Sequence, residues 1–408
     1  MKQQPKPKPL TFFVAYPQDW PREDKDAIEL RKEISEKIYY LSDRIEDAAF
    51  GENGVNLTLS TPGPAPQGLE KSVTELITRL VRNLRMTAHD ILDGHDGMLA
   101  AGEGDPYEYL ASTGQVVMSL PGVPIFRGEF LRVHNGIDMF LRRYALDLGC
   151  REEKYPTTLS TLSLLKSGYL QGFPQHALLV GAIHHDMDSL QAIARDPDKY
   201  NNVQSVDTLV SNHGQILAPT VCGHCFEALK GQTLAEKNLL VTATAHCHRH
   251  EGKNHNSLER LQTYTMREIV FFGDTDFVRY WQERILEDLK RIFSEWGLRW
   301  RVLVASDPFF VTGREQKRAF QTAFRLKYEL QVYLPHSGQW IAAASFNHHQ
   351  DGLVKSYELK PAGDLGAPLQ SGCFGLGLER LAYALYAQKG IDIQNWPAAL
   401  INDLNLGA

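Results

Sequence analysis

The chain has 408 residues, of which 43% are hydrophobic and 23% charged, so it has the composition of a globular protein with room for two or three domains, or for one large enzyme domain with an appendage. It contains no apolar run long enough to cross a bilayer and no N-terminal secretory signal, so we expect a cytoplasmic protein without a membrane partner. The net charge of −6 argues against a surface built throughout to bind nucleic acid, and five scattered cysteines are too few for a disulfide framework.

The N-terminal part predicts a flexible tail and a small unit. Residues 1–9 are rich in proline and lysine and are expected to be flexible. Residues 10–104 predict a small α/β unit, because LTFFVAY and GVNLTLST have strand patterns, and REDKDAIELRKEISEKIYYLSDRIEDA and LEKSVTELITRLVRNLRMTAHDIL have helical ones. The flexible composition of GHDGMLAAGEGDP places a domain boundary near residue 104.

Residues 105–408 have a different pattern, in which strands follow one another in long succession. The strand-like segments are LLVTATAHCHR, LQTYTMREIVFFG, LRWRVLVAS, YELQVYLP and WIAAASFNHH. Helical patterns stand mainly at the flanks, in EFLRVHNGIDMFLRRYALDLG, FVRYWQERILEDLKRIFSEWG and GLERLAYALYAQKG. This order predicts an α+β domain with an antiparallel sheet flanked by helices, rather than alternating βαβ units.

The segment APTVCGHCFEALKG holds Cys222 and Cys225 at the spacing of a thiol–disulfide oxidoreductase. The usual fold of such enzymes places a cis-proline from a later strand opposite the cysteines, yet no proline occurs between Pro219 and Pro308. A closed zinc site is also disfavoured, because Cys373 has no nearby cysteine and the histidines of HCHRH are expected to ligate nothing. Local pattern alone leaves open which of the two cysteines of CGHC is functional.

Two further segments have the pattern of a nucleotide-binding site. Alternation along CHRHE puts Arg249 and Glu251 on one strand face, and Tyr264 lies on the strand that follows. An arginine fork matches a phosphate, and an aromatic ring stacks on a purine. Near the C-terminus, SGCFGLGLER puts Arg380 in the first turn of a helix after a glycine-rich strand end, which permits close approach of a ligand. Each pattern is common alone, and together they favour nucleotide binding.

At these residues the chain resembles the catalytic domain of class II aminoacyl-tRNA synthetases. RHE and RLQTYTMRE are similar to that family's second motif, GLGLER to its third and, more weakly, DLGCREEKYPTTLS to its first. Within the family it most resembles the amino acid:[carrier protein] ligases, which are relatives of the atypical, zinc-dependent seryl-tRNA synthetases. Matching segments run in order from SGYLQGFPQH and PTVCGHCF through ASDPFF, LKYELQVYLP and ASFNHHQDG to SGCFGLGLERLAYALY, over about residues 105–390.

The resemblance implies a catalytic Zn²⁺ held by Cys222, Glu268 and Cys373, with a fourth position left for the amino group of the substrate. Cys225 falls where the family has no ligand. The three positions are 46 and 105 residues apart, too far for a local metal motif.

The resemblance also implies a reaction in two halves. An amino acid carboxylate attacks the α-phosphorus of ATP to give an aminoacyl-adenylate and pyrophosphate, and an acceptor then displaces AMP. Arg249, Glu251 and Arg380 are the implied catalytic residues, with Arg249 at the α-phosphate and Arg380 at the γ-phosphate. Arg260 and Tyr264 complete the implied ATP-binding set, and Mg²⁺ is expected to bridge the phosphates.

Five further residues are expected to line the substrate and metal side of the site: Asp307, Lys327, Glu329, Ser345 and Asn347. The sequence departs from the family in three places. His248 replaces an aromatic residue, the strand 340–344 lacks an acidic residue for Mg²⁺, and GLVKSYEL lacks the usual Phe-Gly pattern. The last departure leaves room for a substrate other than glycine or alanine.

Three functions remain in view: a carrier protein ligase, an atypical seryl-type tRNA synthetase, and a non-catalytic paralogue. The intact arginines and metal ligands disfavour the paralogue. Residues 1–104 hold 13 basic and 17 acidic residues, a net charge of −4, and the basic stripe of Arg79, Arg82 and Arg85 is small for a tRNA-binding arm. We therefore expect transfer to the phosphopantetheine thiol of a small holo carrier protein, with tRNA left uncharged, by a homodimer whose N-terminal unit serves dimerisation or partner docking.

Overall fold

A computed structural model describes residues 10–21, 24–60, 64–84, 91–100, 104–200, 203–251, 257–305, 325–363 and 366–407. The tail at residues 1–9 lies outside this set. The chain divides into a smaller unit, Met1–Asp90 with Glu251–Asn256, and a larger one, Ile91–His250 with Ser257–Ala408. The division therefore falls before residue 104, because Ile91–His95 form a strand that pairs with Trp300–Val304 in the larger unit.

The smaller unit is a three-stranded antiparallel sheet with two helices. Its strands are β1 (Leu10–Ala15), β2 (Ile45–Phe50) and β3 (Gly54–Leu59), in the order β1-β3-β2, and its helices are Asp24–Ile38 and Leu69–Leu84. Apolar residues at helical spacing, such as Leu30 and Ile34, are fully buried in its core.

Both helical patterns predicted in the N-terminal part run too far along the sequence, and the second includes Ile91 and Leu92, which belong to the strand Ile91–His95. The first helix ends at Ile38, and RIEDAAF supplies strand β2 instead. Arg44 precedes this strand and donates from Nη2 to the carbonyl of Ser60 at 3.0 Å, which fixes the turn. Of the predicted basic stripe, Arg79 lies in the second helix, whereas the side chain of Arg82 and all of Arg85 lie outside the described residues.

The larger unit contains thirteen described strands, eight of which form one large sheet. Its strands in chain order are β4 (Ile91–His95), β5 (Val116–Leu120), β6 (Val123–Phe126), β7 (Arg151–Glu152), β8 (Thr158–Ser160), β9 (Leu179–Ile183), β10 (Val210–Leu217), β11 (Leu239–His248), β12 (Thr263–Gly273), β13 (Trp300–Val304), β14 (Lys327–Leu334), β15 (Gln339–Gln350) and β16 (Gln370–Gly377). The large sheet has the order β4-β13-β14-β15-β16-β12-β11-β7, and only the pair β11 and β7 is parallel. The predicted α+β fold with an antiparallel sheet is confirmed.

Helices cover one face of this sheet. Those that pack there most extensively are Gly128–Asp147, Thr275–Glu295 and Leu378–Lys389. The remaining described helices of the larger unit, not all of which lie on this face, are Pro106–Ser112, Thr161–Lys166, Tyr169–Gly172, Met187–Arg195, Val203–Asp207, Cys222–Leu229, Gly352–Ser356 and Ala398–Asp403, with short 3-10 turns at Pro174–His176, Pro197–Tyr200 and Ile393–Asn395. No helix in the described part of the chain is long and apolar enough to span a bilayer.

Alternation along the central strands separates the two faces of the sheet. On β12 and β16, Ile269, Phe271, Phe374 and Leu376 point toward the helices and form the main core. Their neighbours in sequence therefore point to the opposite face, because successive side chains of a strand alternate. That opposite face carries the polar and small residues described below.

Candidate active site and metal centre

Three side chains able to bind a metal converge on the face of the large sheet opposite the main core, which we call the site face. Glu268 lies on β12 and Cys373 on β16, which are antiparallel neighbours, and Cys222 opens the helix Cys222–Leu229. The possible ligand atoms of the three residues all lie within 4.8 Å of one another. The structure thus brings together the three residues that the resemblance implied as metal ligands.

The start of the helix Cys222–Leu229 is tied directly to Glu268. The backbone N–H groups of Val221 and Cys222 donate to the two carboxylate oxygens, at 3.3 and 2.9 Å. These two hydrogen bonds fix the carboxylate and place the Cys222 sulfur next to it. Since the free N–H groups of a helix N-terminus favour a negative charge, they partly offset the cost of burying the carboxylate.

The three groups shift one another's pKa values because they are buried side by side. Burial raises the pKa of Glu268 to about 8. The hydrogen bond between the two thiols lowers the pKa of Cys373 well below its usual value and raises that of Cys222, where burial and the Glu268 charge act in the same direction. Two thiols and one carboxyl in a buried cluster form a donor set that suits Zn²⁺ at a catalytic site, and a metal would displace the protons that the cluster holds.

Cys225 occupies different surroundings from Cys222. It is fully buried in an apolar cluster that includes Phe226 and Val270, and burial raises the pKa of its thiol to about 12. The described cysteines are all free thiols, and a deeply buried thiol of raised pKa is unreactive. Among the described residues, the group of potential metal ligands does not include His246, His248 or His250.

A second cluster lies at the end of β11 and the start of β12. The guanidinium carbon of Arg249 lies 5.5 Å from the centroid of the Tyr264 ring, and its Nε donates to the carbonyl of Pro219 at 3.1 Å. The carbonyl of Gln262 accepts from the backbone N–H of Arg249 at 2.9 Å. These contacts hold the arginine and the aromatic ring side by side.

Arg380 lies in the first turn of the helix Leu378–Lys389, which follows β16. Its Nε donates to the carbonyl of Glu259 at 2.6 Å and its Nη1 to that of Ala342 at 3.1 Å. The first of these contacts reaches the segment just before β12, so Arg380 is anchored beside the strand that carries Tyr264 and Glu268.

The turn Pro174–His176, which precedes β9, also reaches this cluster, although no pattern in the sequence predicted it. The backbone N–H of His250 donates to the carbonyl of His176 at 3.2 Å. Burial and the positive charges of Arg249 and Arg260 lower the pKa of His176 to about 2, so its imidazole is neutral. Arg249, Arg260 and His176 thus share one neighbourhood.

Four of the predicted substrate-lining residues lie on the site face together with the metal cluster. Lys327 and Glu329 lie on β14 and form an ion pair at 3.3 Å. In register they stand opposite Asn347 and Ser345 of β15, and Asn347 stands opposite Cys373. The pairing of three adjacent strands therefore aligns these side chains beside the metal cluster.

Two predicted residues have no described place in this site. Asp307 lies outside the described residues. Glu251 is described, but it falls in the segment Glu251–Asn256, which groups with the smaller unit. Their roles remain predictions.

Comparison with known proteins agrees with this architecture. The tRNA synthetase class II core domain (G, H, P, S and T) matches residues 208–389. The chain is 31% identical over 261 residues to amino acid--[acyl-carrier-protein] ligase 1 of Bradyrhizobium diazoefficiens, covering 64% of this chain and 78% of that protein. It is 27% identical over 307 residues to the type-2 serine--tRNA ligase of Methanopyrus kandleri, covering 72% of this chain and 56% of that protein.

Solved structures show the same fold. The M. kandleri seryl-tRNA synthetase, crystallised in complex with A. aeolicus tRNASec, matches with a TM-score of 0.69 and 22% identity, covering 89% of this chain and 73% of that one. The cytoplasmic serine-tRNA ligase of Naegleria fowleri in complex with AMP matches with a TM-score of 0.57 and 11% identity, covering 83% and 72%.

The fold and these matches define the class of the protein: it is an enzyme of the class II aminoacyl-tRNA synthetase family. Within that family the chain belongs to the group of amino acid--[acyl-carrier-protein] ligases and type-2 serine--tRNA ligases. The resemblance inferred from the sequence is confirmed.

Proposed function

We propose that the protein activates an amino acid with ATP and transfers it to the phosphopantetheine thiol of a small holo carrier protein. The observation that carries this proposal is that Cys222, Glu268 and Cys373 meet on one face of the sheet, and that Tyr264, four residues before Glu268 on β12 and so on the same face, contacts Arg249. One face then offers a place for the amino end of the substrate and a place for the nucleotide. The 31% identity to an amino acid--[acyl-carrier-protein] ligase supports the choice of acceptor.

Cys222, Glu268 and Cys373 would hold Zn²⁺, which supplies a Lewis-acidic position for the α-amino group of the substrate. Beside them, Asn347 and Ser345 offer polar atoms at the edge of the cluster. These residues would orient the amino acid so that its carboxylate faces the nucleotide.

In the first half-reaction the substrate carboxylate oxygen bonds to the α-phosphorus of ATP, and the bond to the bridging oxygen of pyrophosphate breaks. Arg249 would stabilise the charge on the α-phosphate, and Arg380 and Arg260 would bind the departing phosphates, to which Mg²⁺ would be coordinated. Tyr264 would stack on the adenine and Glu251 would contact it. Because the carbonyl of Pro219 and the Tyr264 ring fix Arg249, its guanidinium needs little rearrangement during the reaction.

In the second half-reaction the pantetheine thiolate attacks the carbonyl carbon of the adenylate, and AMP leaves. A thiol with a pKa near 8.5 forms enough thiolate near neutral pH to react without a dedicated base. A tRNA hydroxyl ionises far less readily, so a carrier is the easier acceptor for this site.

Transfer to tRNA is the second candidate function. It is favoured by the match of 72% of this chain to a type-2 serine--tRNA ligase and by the tRNA-bound state of a structural neighbour. Against it stands the charge of the smaller unit, because residues 1–90 hold 13 basic and 14 acidic residues, a net charge of −1, and so have no excess of positive charge for the phosphate backbone.

Amino acid-dependent exchange of pyrophosphate into ATP tests the first half-reaction. Arg249→Ala should lower the exchange rate at least 100-fold, the usual loss when a transition-state charge contact is removed. Arg291→Ala is the control, because this arginine is exposed and pairs with Glu295 one turn away on its helix. No exchange with any amino acid in a broad panel would reject the proposal.

Single-turnover transfer from preformed adenylate tests the second half-reaction. We expect a thioester on holo but not apo carrier protein. A stable, RNase-sensitive ester on tRNA, weakening as salt is added, would replace the carrier by tRNA as the acceptor.

A further inference from the structure

Strand β15 contains an extra residue next to the metal cluster. His348 pairs with Gly372 and Gln350 pairs with Ser371, so His349 is the unpaired residue of a β-bulge. Gln350 has a φ of 56°, in the left-handed region that residues other than glycine seldom adopt. Bulges re-aim side chains and are frequent beside active sites, which raises the question of what this one directs toward the cluster.

The bulge aims the imidazole of His349 at Cys373. The Nε2 atom of His349 lies 3.5 Å from the sulfur of Cys373, and its Nδ1 atom lies 3.2 Å from the hydroxyl oxygen of Ser371, a fully buried residue. The Phe226 ring meets the imidazole edge to face, with 5.9 Å between centroids. Both ring nitrogens are therefore engaged, and the plane of the ring is held from a third side.

These contacts select one tautomer of His349 when the sulfur is a metal ligand. A thiolate can only accept, so Nε2 must carry the hydrogen and donate it to Cys373. The Ser371 hydroxyl then donates to Nδ1, and every polar atom of the chain of contacts is satisfied. The Asn347 amide also donates to the Cys373 sulfur at 3.5 Å, so the sulfur accepts from two side chains.

His349 is not itself one of the potential ligands. Among the described residues, only Cys222, Glu268 and Cys373 have ligand atoms that all lie within 4.8 Å of one another. The imidazole contacts Cys373, but its ring nitrogens do not lie within 4.8 Å of all three ligand atoms.

We propose that His349 is a positioning residue, which orients the Cys373 sulfur for metal binding and stabilises its charge by a hydrogen bond from Nε2. This inference rests on the metal-binding part of the proposed function. Outer-shell partners of metal ligands commonly contribute 10- to 100-fold to metal affinity, so His349→Ala should weaken Zn²⁺ binding by about that factor. His349→Gln retains an N–H donor and should recover part of the loss.

The test is metal binding to the purified full chain after removal of bound metal with a chelator. Zn²⁺ affinity is measured by competition with a chromophoric chelator, and Co²⁺ is used to record the thiolate-to-cobalt absorption band. His349→Ala should weaken Zn²⁺ binding and shift the Co²⁺ band, and Ser371→Ala should do the same to a smaller extent by freeing the ring. His348→Ala is the matched control, because this neighbouring histidine bonds to Gln370 instead of Cys373.

The outcomes separate this inference from the proposed function. Wild-type affinity and an unchanged Co²⁺ band in a folded His349→Ala protein, checked by circular dichroism, would overturn the positioning role while leaving the metal site intact. An equal loss in His348→Ala would also overturn it, since the effect would then come from disruption of the strand. Wild-type protein that binds neither metal would overturn both the positioning role and the metal-binding part of the proposed function.

Discussion

Replacing Glu268 with glutamine should remove a pH dependence from the stability of the metal-free protein. The carboxyl is 4% exposed, and burial raises its pKa from 4.5 to about 8. The folded state therefore binds a proton between these two values that the unfolded state does not. Stability is highest at the acid end of this interval and falls as the pH rises through the folded pKa.

The magnitude follows from the size of the interval. Each pH unit crossed between the two pKa values costs about 1.4 kcal/mol, so the whole interval from 4.5 to about 8 amounts to roughly 5 kcal/mol. In the folded state the hydrogen bonds from Val221 and Cys222 stabilise the Glu268 carboxylate, but they offset only part of the cost of burying its charge. Bound Zn²⁺ should abolish the dependence, because it replaces the proton.

The assay is urea unfolding of chelator-treated protein at several pH values from 5.5 to 8.5, which we choose to bracket the upper part of the interval. Tryptophan fluorescence reports mainly the larger unit, since five of the six tryptophans lie in residues 281–396. The urea midpoint of the wild type should fall with pH relative to that of Glu268→Gln, whereas Glu236→Gln, which removes an exposed carboxyl, should track the wild type. A wild-type midpoint that stays parallel to Glu268→Gln, or rises against it, would refute the reasoning.

Three other outcomes are expected. Elemental analysis should find about one zinc per chain in the wild type. Cys222→Ser should lose this zinc, whereas Cys225→Ser should keep it, because the Cys225 thiol packs in an apolar cluster. The reverse result would show that the wrong cysteine was assigned. Gly375→Ala would place its Cβ 2.9 Å from Cε of Met266 and 3.2 Å from Cγ of Glu268. The flexible methionine can move, but the metal-binding carboxylate would have to shift, so we expect weaker Zn²⁺ binding and slower pyrophosphate exchange, and unchanged values would contradict this. Arg267→Met removes the buried guanidinium that binds Asp138 of the helix Gly128–Asp147 and leaves this carboxylate with only the Thr244 hydroxyl as a side-chain donor among the described residues. A lowered melting temperature is therefore expected, equivalent to about 3 kcal/mol, and an unaltered one would contradict the reasoning.

Much of the fold and part of the site could be predicted from the sequence because they depend on short-range periodicity. The two-residue alternation of the central strands separates Ile269 and Phe374, which face the helices, from Glu268 and Cys373, which face the site. Arg380 lies in the first turn of a helix, as its local pattern predicted, whereas β11 ends at His248, so Arg249 and Glu251 lie just beyond the strand on which alternation had placed them. The metal ligands came from resemblance to a family, because residues 46 and 105 positions apart leave no local signal.

Only the tertiary structure decided which long-range partners meet. The contacts that separate Cys222 from Cys225 come from β12 and β16, since one thiol meets Glu268 and the other meets apolar side chains. The strand of residues 91–95 joins the large sheet through pairing with a segment some 200 residues later, so the position of the division could not be judged from composition. The bulge at His349 depends on the register between two strands, and a single extra residue there re-aims a side chain without any signature in the sequence.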